Sequence, residues 1–167
     1  VNSVEEAQAA VAACRYAPHG SRSSGRSVAG LRTSDYHAWA AEHVAVIPMI
    51  ETRQAVEDID RILAVPGVDA IYVGPADLSL TLGLPPRNND DEPAFREAYA
   101  TIVDACAQAG IVAGCHANGA LTPARVAAGF RMVTVTTDLV AAKLGYAAEL
   151  ALARTESGSS GTNDSLY

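Results

Sequence analysis

Two stretches, AVIPMIET (residues 45–52) and DAIYVGPADLS (residues 69–79), decide the fold. Each is a short apolar run that closes on an acid, Glu51 in the first and Asp77 in the second. Runs of this length, rich in Ile and Val and bounded by Pro and Gly, read as strands buried on both faces of a parallel sheet. The carboxyl ends of neighbouring parallel strands open on one side, and sites are built there. Two carboxylates at such ends repel unless a proton or a cation lies between them. A divalent metal is the simplest resolution, which nominates Glu51 and Asp77 as its ligands.

Working outward, Ser3 to Glu6 has the form of a capping box, followed by a helix with Ala7, Ala10, Val11 and Cys14 on one stripe. Residues 16–30 are rich in Gly, Ser and Arg and read as a long loop. A short helix near Ser34 is expected to bury Tyr36, Trp39 and Ala40. The strand over residues 44–50 precedes a helix over residues 52–64, which Pro66-Gly67 ends. After the strand over residues 70–73, residues 74–92 read mostly as loop. Pro93 opens a helix with Phe95, Ala98, Tyr99, Ile102, Val103 and Cys106 at helical spacing, and Gly110 stops it. A strand over residues 111–115, a short helix from Thr122-Pro123 to Gly129 and a strand over residues 131–135 follow. Asp138 is the expected N-cap of a last helix running to about Arg154. Strand and helix alternate four times, the rhythm of a parallel α/β fold. A closed (β/α)8 barrel takes about 250 residues, so these units would make about half of one, with a self-contained open sheet as the alternative. Residues 1–155 form the expected domain, and residues 156–167 read as a disordered polar tail.

Composition narrows the function. The chain has 167 residues, 49% of them hydrophobic, and a net charge of −7 with no basic cluster, which argues against a nucleic-acid partner. No run reaches the roughly 18 apolar residues of a membrane helix, and the opening residues lack signal-peptide form, so a cytoplasmic protein is expected. Cys14, Cys106 and Cys115 are odd in number and widely spaced, as buried reduced thiols would be. The single lysine, Lys143, falls inside a helix rather than at a strand end, so Schiff-base chemistry has no good candidate. Neither a Gly-x-Gly-x-x-Gly loop nor a Gly-Lys-Ser/Thr loop is present. Cys115-His116 lacks zinc spacing. Asp69 reads as a turn acid, and His19, His37 and His43 as surface residues.

The segments PMIET (48–52), PGVDAIYVGPADLS (66–79) and YAPHGSRSSG (16–25), in this order and spacing, closely resemble the HpcH/HpaI aldolase family. The resemblance runs from Val1 to about Arg154. It implies the C-terminal part of a (β/α)8 barrel, assembled as a homo-oligomer whose last helix packs on a neighbouring subunit. It also implies a metal-dependent class II aldolase that forms or cleaves 4-hydroxy-2-oxo acids through a pyruvate enolate, with an aldehyde as the other partner. Glu51 and Asp77 match the family's metal carboxylates, for Mg²⁺ or Mn²⁺ foremost, with Co²⁺ or Zn²⁺ as alternatives. Gly74, Pro75 and Ala76 match the turn whose backbone amides hold the pyruvate carboxylate. Met49 stands where many relatives carry glutamine, and Arg22 to Arg26 match a stretch near the mouth. The family's His–Asp dyad and substrate arginine belong to strands that nothing in this sequence matches. The catalytic base is therefore unassigned, and the chain alone is expected to be nearly inactive. The alternatives are a citryl- or malyl-CoA lyase-like enzyme and a non-catalytic remnant.

Overall fold

The structure is a computed structural model that describes residues 1–25, 28–31 and 33–155. Arg26 and the expected tail at 156–167 lie outside the described residues. The elements are α1 (Val4–Cys14), a 3₁₀ turn (Val28–Leu31), α2 (Tyr36–His43), β1 (Met49–Ile50), α3 (Arg53–Glu57), α4 (Ile59–Leu63) and β2 (Ala70–Val73). There follow α5 (Pro75–Thr81), α6 (Pro93–Ala109), β3 (Val112–His116), α7 (Thr122–Ala127), β4 (Met132–Thr134) and α8 (Asp138–Thr155). The four strands form one sheet in the order β1-β2-β3-β4, and every pair is parallel. Consecutive parallel neighbours joined by helices make this an α/β fold.

The two faces of the sheet differ sharply. Ile50, Val73, Cys115 and Val133 stand in register on one face. Ile50, Val73 and Cys115 there are fully buried, with Ile62 of α4, Leu78 of α5 and Phe95 and Ile102 of α6 in the same core. The opposite face carries the register row Met49, Tyr72, Gly114 and Met132, and Val112 lies on the same side. Met49 is 43% exposed and Val112 is 41% exposed. Apolar side chains on a sheet face left open in this way mark a surface that another layer would cover.

α6 forms as its spacing dictates: Pro93 opens it, and Gly110 closes it at φ 68°, where a residue with a Cβ is disfavoured. Ser3 caps α1 by accepting from the Glu6 amide at 3.3 Å. The reciprocal arm of the box differs, since Glu6 accepts from the backbone N–H of Asn2, at 2.8 Å.

Several expectations are corrected. The strand expected over residues 44–50 shrinks to Met49–Ile50, because Pro48 has no N–H to give the ladder. Asp69 substitutes upstream: its carboxylate accepts from the Val46 amide at 2.7 Å and pairs with Arg15 at 3.4 Å. It is a structural acid. The helix expected over 52–64 is two helices meeting at Asp58, whose ψ of 10° breaks the helical run. The segment after Gly74 is not loop at first; it is α5, with Pro75 in its first turn. Trp39 is 43% exposed, not buried, and stacks on Tyr36 and His43 of its own helix. Cys14 is half-buried and free, whereas Cys106 and Cys115 are buried and free. Thr137, not Asp138, caps α8, its Oγ1 accepting from the Val140 amide at 3.3 Å.

Candidate functional site

Because β1 and β2 are parallel neighbours, the residues that leave them emerge at the same end of the sheet. Glu51 follows Ile50 directly, and Gly74 follows Val73, the register partner of Ile50. The Glu51 side chain lies over Gly74: a Cβ on Gly74 would stand 2.7 Å from Glu51 Oε2 and 3.4 Å from Met49 Sδ. Only a residue without a side chain leaves the carboxylate this room. Glu51 does not serve α3. Thr52 caps that helix, its Oγ1 accepting from the Ala55 amide at 3.1 Å while donating to Asn2 at 2.7 Å. The carboxylate is thereby left at the sheet mouth, half-buried.

Asp77 sits in the first turn of α5, three residues beyond Gly74, and is exposed at the same end of the sheet. The Gly74-Pro75-Ala76 turn offers fewer donors than its backbone count suggests. The Gly74 amide is committed to the Ile50 carbonyl at 3.1 Å, and Pro75 has no N–H. The first intrahelical bond of α5 runs from Leu78 to Gly74, so the amides of Ala76 and Asp77 precede it and have no helical acceptor. Ala76, and Asp77 through its own backbone, are the donors available to an anion at this turn.

Two carboxylates suit a hard cation that keeps several waters, as Mg²⁺ and Mn²⁺ do. They suit zinc less, since its protein sites take three or four N, S or O ligands. Among the described residues no group of three or more His, Cys, Asp or Glu side chains is placed to hold a metal. Lys143 lies exposed on α8.

Residues absent from the sequence-based site also converge here. His116 ends β3, and Arg125 of α7 is buried behind it. The Arg125 guanidinium pairs with Asp90 at 2.8 Å, donates to Asn88 at 3.1 Å, and lies 4.9 Å from the Tyr99 ring. Asn89 is fully buried and holds the same loop through Ser79 at 2.8 Å and the carbonyls of Pro85 and Arg87. An arginine inside an alanine-rich helical segment was the only trace of this network in the sequence.

The profile of the HpcH/HpaI aldolase/citrate lyase family matches residues 1–142. A hydroxypyruvate/pyruvate aldolase of Rhizorhabdus wittichii is 39% identical over 141 residues, which cover 83% of this chain and 56% of that protein. A 2-keto-3-deoxy-L-rhamnonate aldolase of Salmonella paratyphi B is 35% identical over 143 residues, covering 83% of this chain and 53% of that one. The crystal structure of a family protein from Burkholderia cenocepacia J2315 superposes with a TM-score of 0.76 at 32% identity, over 93% of this chain and 62% of that chain. The chain thus spans a little over half the length of the curated relatives it matches. On these matches and on the sheet they share, the chain belongs to the HpcH/HpaI aldolase/citrate lyase family.

Proposed function

We propose that this chain carries the metal- and pyruvate-binding portion of a divalent-metal-dependent aldolase, a carbon–carbon lyase acting on 4-hydroxy-2-oxo acids. The observation that carries this reading is the Glu51 carboxylate lying on Gly74, at the sheet end where Asp77 also emerges. Glu51 and Asp77 would hold Mg²⁺ or Mn²⁺, which supplies, when bound, electrostatic stabilisation of negative charge developing on a 2-oxo acid. The Ala76 and Asp77 amides orient the carboxylate of pyruvate, and Met49 Sδ gives that side of the site an apolar wall. Orientation of this kind converts binding into rate, because the reacting carbon is presented in one geometry.

The half-open sheet supports a barrel reading in which further strands cover the Met49–Met132 face. The exposed apolar side chains of α8, among them Val140 and Leu144, support association into a homo-oligomer. No described helix is long and apolar enough to cross a membrane.

Mn²⁺ titration by calorimetry tests the reading. The expected result is one site per chain, weakened about tenfold or more by Glu51→Gln and by Asp77→Asn. Unchanged affinity in both variants overturns it. In a protein that also holds the barrel strands, the same two variants are expected to lose on the order of 10²-fold in turnover, and a chelator to abolish it.

A further inference from the structure

Two side chains converge on the space above Gly74. Met49 and Glu51 are two residues apart on one extended run, and side chains two apart leave a strand on the same side. Glu51 Oε2 and Met49 Sδ both lie within 3.4 Å of the single point that a Gly74 Cβ would occupy.

This convergence has no attraction of its own. An ionised carboxylate only accepts hydrogen bonds, and a thioether sulfur is a weak acceptor, so neither atom offers the other a proton. Nor does core packing account for the sulfur. A methionine that fills a gap belongs to a core, whereas Met49 is exposed and stands outside the cluster on the helix side of the sheet. Among the described residues the Glu51 carboxylate has no ion pair. What the two atoms have in common is an electron pair for a metal ion, one hard and one soft.

We propose that Met49 Sδ is a further donor of the metal site, and that it shifts the site's preference from Mg²⁺ towards thiophilic divalent cations. The preference rests on the metal reading of Glu51 and Asp77 given above. Carboxylate oxygens alone favour hard ions. Mg²⁺ holds its waters and gains nothing from a thioether, while a soft ion such as Cd²⁺ gains one ligand.

Mg²⁺, Mn²⁺ and Cd²⁺, each titrated by calorimetry into the full chain and its Met49→Leu and Met132→Leu variants, provide the test. All samples carry Cys14→Ala, which removes the half-buried thiol as a competing Cd²⁺ ligand. Leu replaces Met at nearly constant volume, so the fold is kept. Met49→Leu is expected to lower the Cd²⁺-to-Mg²⁺ affinity ratio roughly fivefold or more, by weakening Cd²⁺ while Mn²⁺ still binds. Met132→Leu, two strands away from Gly74 on β4, is expected to leave the ratio unchanged. The chain has two methionines, so methyl-¹³C methionine labelling gives two resonances that the same variants assign. Cd²⁺ is expected to shift the Met49 methyl and leave that of Met132 in place. A ratio unchanged in Met49→Leu, or a Met49 methyl unmoved by bound Cd²⁺, overturns the thioether donor and leaves the two carboxylates as ligands. A parent chain that binds neither Mn²⁺ nor Cd²⁺ overturns the donor together with the metal reading beneath it.

Discussion

The Tyr72 hydroxyl on β2 lies 2.5 Å from Thr134 Oγ1 on β4, although β3 runs between them. The bridge exists because the intervening register position is Gly114. A Cβ there would stand 2.5 Å from Met132 Cε and 3.0 Å from both the Tyr72 ring and the Ile71 carbonyl. Gly114→Val is therefore expected to cost about 1–3 kcal/mol by overpacking. Tyr72→Phe should cost about 1 kcal/mol, the net worth of one hydrogen bond. Urea unfolding of the two variants checks both, and equal stability for Gly114→Val would refute the packing argument.

Gly74→Ala separates binding from folding. Gly74 has φ −91°, which any residue adopts, and the nearest obstacle is the movable end of Glu51. The expected outcome is a melting temperature close to that of the parent, with Mn²⁺ affinity lowered about tenfold as the carboxylate is displaced. A variant that binds Mn²⁺ normally would show that Glu51 is not held by Gly74 for this purpose.

Alkaline pH should destabilise the chain. Burial pushes the Cys106 and Cys115 thiols up to about 11, with Arg125 partly opposing this for Cys115. Burial likewise raises the Tyr99 hydroxyl. Between about 9, where an unfolded thiol ionises, and about 11, the folded state holds more protons than the unfolded one. Stability is then complete below pH 9 and falls as pH rises through that window. Denaturant midpoints measured across pH 8–11 should decline, and a Cys106→Ala/Cys115→Ala variant should decline less steeply.

Lys143→Ala is expected to leave Mn²⁺ binding unchanged, and turnover too in any protein that carries the remaining strands. The residue is exposed on α8, and no pyruvate adduct should be trapped on it by borohydride. A trapped adduct would replace the metal mechanism with a Schiff-base one.

The legible part of this chain is what local chemistry decides. Pro93 and Gly110 bracket α6 because their backbone preferences act without help from the rest of the molecule. The periodicity of β2 and β3 survives for the same reason. Trp39 escaped because an aromatic at helical spacing says only that a face is apolar, not that a second layer exists to cover it. The turn after β2 is assigned by resemblance as a whole, the backbone amides of Gly74, Pro75 and Ala76 matching those that hold a carboxylate. Counting donors against the observed ladder leaves Ala76 alone of the three. The Arg125–Asp90–Asn88 network joins residues 35 and more positions apart, a pairing no spacing rule reaches.

α8 runs from Asp138 to Thr155, and its side chains from 138 to 154 are all exposed. With its side chains exposed, α8 leans on intrinsic propensity and its Thr137 cap, and an isolated helix of this length is marginal in water. Two units are therefore expected in a hydrogen-exchange measurement. Amides of α6 and β3 open only with the whole sheet, while those of α8 exchange through local fraying. Substitutions on α8 are then expected to be nearly silent in the melting of the sheet, so a change at Val140 or Leu144 should be read out at whatever surface the helix meets and not in the fold that carries it.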